Sequence, residues 1–180
     1  MNLPNKLSML RILMIPVFVI LALMNAPAAQ YAAVGVFVLA AITDALDGHI
    51  ARKNGLVTNF GKFIDPIADK LLVMSALIVL VERGRMPGWV CIVMLAREFA
   101  ISGFRLVAAG TGKVIAAGIL GKIKTVTQMI AVIALLLTAI DGVFAPLGTF
   151  ADIAMYVSAF MTVWSGADYI IKNFDCIRDM

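Results

Sequence analysis

The chain has 180 residues, of which 62% are hydrophobic and 14% are charged, and its formal net charge is +4. The mean hydropathy is +1.00. Soluble domains carry roughly 45–50% apolar residues, so this composition excludes an ordinary soluble globular fold and indicates an integral membrane protein. The two cysteines, Cys91 and Cys176, are too few for a disulfide framework.

Apolar segments in chain order predict six membrane-spanning helices, since one span needs about 20 residues. A short amphipathic helix at the membrane interface is predicted over 2–11. The spans are predicted at 10–24, 31–50, 61–81, 88–108, 123–140 and 149–171. Because these segments use most of the chain and no internal repeat is visible, we predict an all-α integral membrane fold with a single domain over 1–180.

The positions of lysine and arginine predict the orientation of the spans, because cytoplasmic loops carry an excess of these residues. With six spans, both termini share one side of the membrane. The basic residues expected on that side are Lys6, Arg11, Arg52, Lys53, Lys62, Lys70, Arg105, Lys113, Lys122, Lys124, Lys172 and Arg178. The opposite loops hold only Arg83 and Arg85. We therefore predict a multi-pass protein of the cell membrane with both termini in the cytoplasm.

Four aspartates stand near the facing ends of the second and third spans. Asp44 and Asp47 are three positions apart, and Asp65 and Asp69 are four apart, so each pair lies on one face of its helix. The turn between the spans is short, which predicts antiparallel neighbours with both pairs at one depth near the cytoplasmic interface. Charged groups at such positions are costly and need partners.

The four carboxylates predict a metal site. Oxygen ligands without histidine or cysteine favour Mg²⁺, Mn²⁺ or Ca²⁺ over Zn²⁺. Two such ions, about 3.5–4 Å apart, would suit a displacement at phosphorus. The alternative is that Lys62, Lys70 and Arg52 neutralise the aspartates as ion pairs.

Small residues beside the aspartates predict room for a ligand against the helix backbones. Gly48 and Ala51 follow Asp47, and Gly61 opens the next helix. Arg52 adds a planar guanidinium suited to a diphosphate. Together with the carboxylates, these residues indicate a nucleoside diphosphate as the ligand.

The complete window reads Asp44-x2-Asp47-Gly48-x2-Ala51-Arg52-x8-Gly61-x3-Asp65-x3-Asp69, and it resembles the signature of the CDP-alcohol phosphotransferase family at every specified position. The resemblance implies a six-helix membrane enzyme that forms a homodimer and depends on Mg²⁺ or Mn²⁺. Such an enzyme transfers a phosphatidyl or related group from a CDP-linked donor to an alcohol and releases CMP.

The resemblance also implies a role for each residue of the signature. Asp44, Asp47 and Asp65 would be metal ligands. Asp69 would complete the metal site and act on the acceptor hydroxyl, as its base or by positioning it. The residues that would hold the CDP group are Gly48, Ala51, Arg52 and Gly61.

Arginines inside the fourth span predict a second anion site. Arg97 and Arg105 are eight positions apart, about two turns, and so lie on one face. Lys122 and Lys124 open the fifth span. Since the diphosphate already has an arginine and the metals, we expect this anion to be a phosphate on the acceptor. The alternatives are that Arg97 pairs internally with Glu98 or an aspartate, and that the lysines extend to the interface.

Three segments are similar to segments of the bacterial phosphatidylglycerophosphate synthases within this family. They are 2–11, 96–105 and 121–128, with Ser8 where threonine is more usual. The similarity implies CDP-diacylglycerol as the donor and sn-glycerol-3-phosphate as the acceptor, in phospholipid biosynthesis and without a nucleic-acid partner. Inositol phosphate, serine or phosphatidylglycerol as the acceptor are open alternatives. So is a divalent-cation transporter, although the nearly charge-free outer half disfavours it.

Overall fold

The computed structural model describes residues 3–54, 59–110, 118–140 and 145–174. For 3–5, 44–54, 59–63, 65, 66 and 145 it describes the backbone alone. The helices in the described residues are α1 Leu3–Leu23, α2 Pro27–Asn54, α3 Asn59–Glu82, α4 Gly88–Gly110, α5 Ile119–Thr138 and α6 Gly148–Lys172. A single 3-10 turn, Ala145–Leu147, precedes α6.

Each predicted span corresponds to one of these helices, but the start of the chain differs from the prediction. The expected interfacial helix over 2–11 is not a separate element, because α1 runs without a break from Leu3 to Leu23. Pro4 is compatible with the first turn, where the backbone N–H groups have no helical acceptor. Pro16 lies inside α1, a position at which membrane helices tolerate proline.

Two of the described helices are long and apolar enough to cross a membrane by themselves. They are α1 over Lys6–Leu23 and the whole of α5, while the apolar part of α2, Pro27–Thr43, is shorter. In α4 the charged residues Arg97, Glu98 and Arg105 interrupt the apolar sequence. Over the described residues, the structure therefore confirms an all-helical fold with six helices, and two of them meet the criterion for a span on length and hydropathy alone.

The chain divides into two compact units. The first contains α1, α2, α3 and residues 136–140, and in it α1 packs against both α2 and α3. Phe18 of α1 and Phe37 of α2 are fully buried, with ring centroids 5.6 Å apart. Arg83, just beyond α3, donates hydrogen bonds to the carbonyl oxygens of Ala22 and Met24 at the end of α1. Since α1 and α3 end together, they run parallel.

The second unit contains α4, α5 up to Leu135, and α6. Helices α4 and α6 run parallel. Trp89 stacks with Tyr156 toward their starts, at a centroid distance of 6.3 Å. Phe104 meets the edge of Tyr169 toward their ends, at 5.7 Å. In each unit, the first and third helices run parallel, as every second pass through a membrane requires.

Candidate active site

The structure places all four signature aspartates on two contacting helices. Asp44 and Asp47 lie in α2, ten and seven residues before its end, and Asp65 and Asp69 lie in α3, six and ten residues after its start. At 1.5 Å per residue, the members of each pair are about 10–15 Å from the adjoining helix ends. Helices α2 and α3 contact each other, and the meeting of the two pairs at one level stays a prediction.

Most signature residues are described by their backbone alone. The side chains of Asp44, Asp47, Gly48, Ala51, Arg52, Gly61 and Asp65 lie outside the described set, whereas that of Asp69 is described and half-buried. Among the described side chains, no three acidic, histidine or cysteine groups converge. The fit to a metal therefore rests on donor chemistry and helix placement, and four carboxylates on two neighbouring helices suit hard divalent cations.

A buried arginine in α1 was not assigned to the site by the sequence prediction. Arg11 is fully buried, as is Ser8 one turn earlier. Arg11 lies twelve residues before the end of α1, and Asp69 lies thirteen residues before the end of α3. Because the two helices are parallel and end together, Arg11 and Asp69 lie at nearly the same level. The signal in the sequence was an arginine at the entrance to an otherwise apolar span, which the prediction counted only toward membrane orientation.

In the second unit, Glu98 brings two of the predicted anion-binding residues together. Arg97 Nη1 lies 3.2 Å from Glu98 Oε1, and Lys124 Nζ donates to the same oxygen. The side chain of Lys124 is almost fully buried, so it does not extend to the interface. Two cations thus share one carboxylate, and the internal pair of Arg97 with Glu98 that was left open does form.

Helix α6 supplies the remaining contacts of these arginines. Arg97 Nη2 donates to Ser165 Oγ at 3.0 Å. Arg105 Nε donates to Tyr169 Oη at 3.1 Å, and the guanidinium carbon lies 5.2 Å from the centroid of the Tyr169 ring, a cation–π distance. The shared face of Arg97 and Arg105 predicted from their spacing is confirmed, since both contact α6.

Three cations and one carboxylate form what we call the basic cluster: Arg97, Arg105 and Lys124 with Glu98. Counted over these four described side chains, the formal charge is +2, which favours an anion as the ligand. Lys122 is exposed. Because Lys122 is two positions from Lys124, the two side chains leave α5 on different faces, and the structure does not bring them together.

These features define a class of protein: a helical membrane protein with an acidic helix pair in one unit and, among the described side chains of the other, a cluster with more cations than carboxylates. The sequence profile of the CDP-alcohol phosphatidyltransferase family matches residues 1–164. The chain belongs to this family, whose members are integral membrane proteins and are generally metal-dependent.

Individual relatives are similar over almost the whole chain. A "CDP-diacylglycerol--glycerol-3-phosphate 3-phosphatidyltransferase" of Bacillus subtilis is 48% identical over 98% of this chain and 97% of its own length. A protein of the same name from Rickettsia bellii is 41% identical over 93% of each chain. A "Probable phosphatidylglycerophosphate synthase" of Mycobacterium tuberculosis is 41% identical over 99% of this chain and 83% of its own length.

Proposed function

We propose that the chain transfers a phosphatidyl group from CDP-diacylglycerol to sn-glycerol-3-phosphate, which forms phosphatidylglycerol phosphate and CMP. The observation that carries the proposal is the 48% identity to the Bacillus subtilis transferase over 98% of this chain. That similarity extends through the aspartate helices and the basic cluster alike. The reaction belongs to the biosynthesis of anionic phospholipids.

Asp44, Asp47, Asp65 and Asp69 are proposed to hold two divalent cations, Mg²⁺ or Mn²⁺. The support is the donor set, four carboxylates in pairs on two contacting helices. When bound, such ions polarise the diphosphate and stabilise the charge that develops on the leaving CMP.

The donor and the acceptor hydroxyl are assigned to the remaining signature residues. Gly48, Ala51 and Gly61 let the CDP group approach the helix backbones, and Arg52 pairs with its diphosphate. The 1-hydroxyl oxygen of glycerol-3-phosphate attacks the phosphatidyl phosphorus, and the bond from that phosphorus to the CMP phosphate oxygen breaks. The hydroxyl proton leaves toward Asp69. A carboxylate beside cations is a weak base, so Asp69 contributes mainly by orienting the hydroxyl.

The acceptor phosphate is assigned to the basic cluster, without Lys122, which is exposed on another face of α5. The cluster holds more positive charge than Glu98 can neutralise. Arg97 Nε is buried and has no hydrogen-bond acceptor among the described residues. A buried donor of this kind is costly without a partner, and a phosphate oxygen would satisfy it.

The molecule as a whole is proposed to be one catalytic domain over 1–180 that crosses the cell membrane six times. Both termini and the site would face the cytoplasm, and two copies would form a homodimer. The support for the topology is the parallel direction of α1 and α3 and of α4 and α6, together with the excess of basic residues predicted on one side. Light scattering on the purified protein–detergent complex would measure the oligomeric state.

A transfer assay with CDP-diacylglycerol and Mg²⁺ tests the proposed function. Purified protein in detergent is offered labelled glycerol-3-phosphate, inositol-1-phosphate or serine, and both CMP and the lipid product are measured. Labelled lipid from glycerol-3-phosphate alone is expected. Lipid from another acceptor instead would contradict the assignment of the basic cluster, and the absence of CMP with every acceptor would contradict the reaction itself.

Exchange of Asp69 for Asn tests the role of the acidic helix pair. The amide keeps the size of the side chain but removes a charge that both the cations and the hydroxyl require, so turnover is expected to fall by at least about 100-fold. The matched control is Asp152→Asn, because Asp152 is an exposed aspartate of α6. Full activity of Asp69→Asn would exclude the proposed mechanism.

A further inference from the structure

We propose that Ser165 and Gly166 of α6 are positioning residues for the acceptor and act through Arg97. The proposal rests on the transfer to glycerol-3-phosphate proposed above. Both residues lie just beyond residues 1–164, the part of the chain that the family profile matches. They extend the acceptor site to a helix that contributes none of the residues assigned to phosphate binding.

Gly166 is the described glycine that a neighbouring side chain approaches most closely. A Cβ atom at this position would lie 3.1 Å from Arg97 Cγ and 3.8 Å from Arg97 Nε. Around the other glycines whose surroundings are described, a Cβ would meet nothing within 4 Å. Gly166 is buried, so the missing side chain provides space that Arg97 occupies.

An alanine at position 166 would displace Arg97, because the Cγ atom cannot yield easily. Cγ lies two bonds from the α4 backbone, so it clears a methyl group only if the side chain rotates or the two helices separate. Either movement carries the guanidinium, which lies further from the backbone, away from Ser165 Oγ. The 3.0 Å hydrogen bond between Arg97 Nη2 and Ser165 would then lengthen.

The Nε donor of Arg97 indicates that this arrangement binds the phosphate of glycerol-3-phosphate. Arg97 has Glu98 on Nη1 and Ser165 on Nη2, while the buried Nε has no acceptor among the described residues. A methyl group on Gly166 would lie against Nε. Ser165 therefore aims the guanidinium, and Gly166 keeps Nε open to an incoming phosphate oxygen.

Steady-state kinetics of the full-length protein in detergent separate positioning from a general structural effect. For Gly166→Ala we expect the KM for glycerol-3-phosphate to rise about tenfold, as for a lost hydrogen bond to a charged group. The KM for CDP-diacylglycerol should stay within about twofold of the wild-type value. The control is Gly35→Ala, an exposed glycine of α2 with nothing within 4 Å of the added atom. Equal changes in both KM values, or none in either, would overturn the proposal.

A double-variant cycle tests whether Gly166 acts through Arg97. In an Arg97→Met background, Gly166→Ala should no longer change the KM for glycerol-3-phosphate, because the displaced group is absent. A further tenfold loss in that background would overturn the proposal. Wild-type protein that makes no lipid from glycerol-3-phosphate would instead refute the proposed function on which the inference rests.

Ser165→Ala provides a second test if Gly166→Ala fails to fold, which a lost thermal unfolding transition would reveal. The exchange removes the hydroxyl that accepts from Arg97 Nη2 and adds no atoms. We expect the same selective rise in the KM for glycerol-3-phosphate. An unchanged KM in this variant would overturn the proposal by itself.

Discussion

At the scale of single residues, the carboxylate of Glu98 controls the charge balance of the basic cluster. It accepts from Arg97 and from Lys124, and Lys124 is almost fully buried. A buried ammonium group needs a compensating charge, because desolvation penalises it strongly. Glu98 therefore helps the second unit to carry the ammonium group of Lys124 in its interior.

Glu98→Gln is expected to lower the stability of the folded protein. The amide carries no charge to neutralise Lys124. Because Glu98 is partly exposed, the expected decrease in the free energy of unfolding is about 1–3 kcal/mol. Thermal unfolding in detergent measures it. Adding Lys124→Met to Glu98→Gln should recover much of the loss because it removes the uncompensated charge. An unchanged melting temperature for Glu98→Gln alone would contradict this role of the carboxylate.

At the scale of helices, the turn after α3 supplies hydrogen-bond donors to the carbonyl oxygens at the end of α1. The N–H of Arg85 donates to the Leu80 carbonyl and that of Gly84 to the Val81 carbonyl, and Gly84 has a φ of 64°. This is the left-handed glycine cap that closes many helices. The cap orients Arg83, whose guanidinium donates to two carbonyl oxygens at the end of α1 and to Asn25 Oδ1.

Arg83→Met should destabilise the first unit, because carbonyl oxygens at the end of α1 lose their donors. Each hydrogen bond from a charged group contributes about 1.5–3 kcal/mol when buried, and partial exposure reduces the expected total to about 1–2 kcal/mol. Denaturation of the purified variant measures the change. The matched control is Lys172→Met, which removes an exposed ion pair with Asp168 and should cost under about 1 kcal/mol. Equal losses in the two variants would contradict a capping role for Arg83.

At the scale of the whole molecule, the direction of the helices predicts which positions share a side of the membrane. Parallel α1 and α3 place Lys6, near the start of α1, and Glu82, at the end of α3, at opposite ends of the first unit. Both residues are exposed. The excess of basic residues predicts that Lys6 faces the cytoplasm.

Cysteine labelling in intact cells tests this orientation. In a background carrying Cys91→Ala and Cys176→Ser, a membrane-impermeant maleimide should label Glu82→Cys from outside and should label Lys6→Cys only after the membrane is opened. Cells that express the cysteine-free variant show how much of the labelling comes from other proteins. Labelling of Lys6→Cys from outside would reverse the proposed orientation, and labelling of both from outside would contradict the passage of α1 across the membrane.

The exposed side chains are consistent with a molecule surrounded by lipid. Large apolar residues such as Leu13, Ile92 and Leu106 are more than half exposed, whereas soluble proteins limit contiguous exposed apolar surface. The buried face of α6 carries Ser158, Thr162 and Ser165. Small and hydroxyl-bearing residues at such positions let helices approach closely inside a membrane. Large apolar groups thus cover much of the described surface, and α6 turns its hydroxyl groups inward.

The sequence by itself determined the six helices, the aspartate spacing and the presence of excess positive charge, because helical period and hydropathy are local properties of the chain. It placed Arg97 and Arg105 on one face for the same reason. The prediction of a separate interfacial helix was wrong, because α1 continues through the polar residues and both prolines of this segment.

Only the tertiary structure decided which charges meet. The sequence alone predicts the same role for Lys124 and Lys122. The packing of α5 buries Lys124 against Glu98 and leaves Lys122 exposed. The contacts of Arg97 with Ser165 and Gly166 join residues almost 70 positions apart, and those of Arg83 join the ends of two helices. Such pairings depend on how helices pack, and neither periodicity nor composition contains that information.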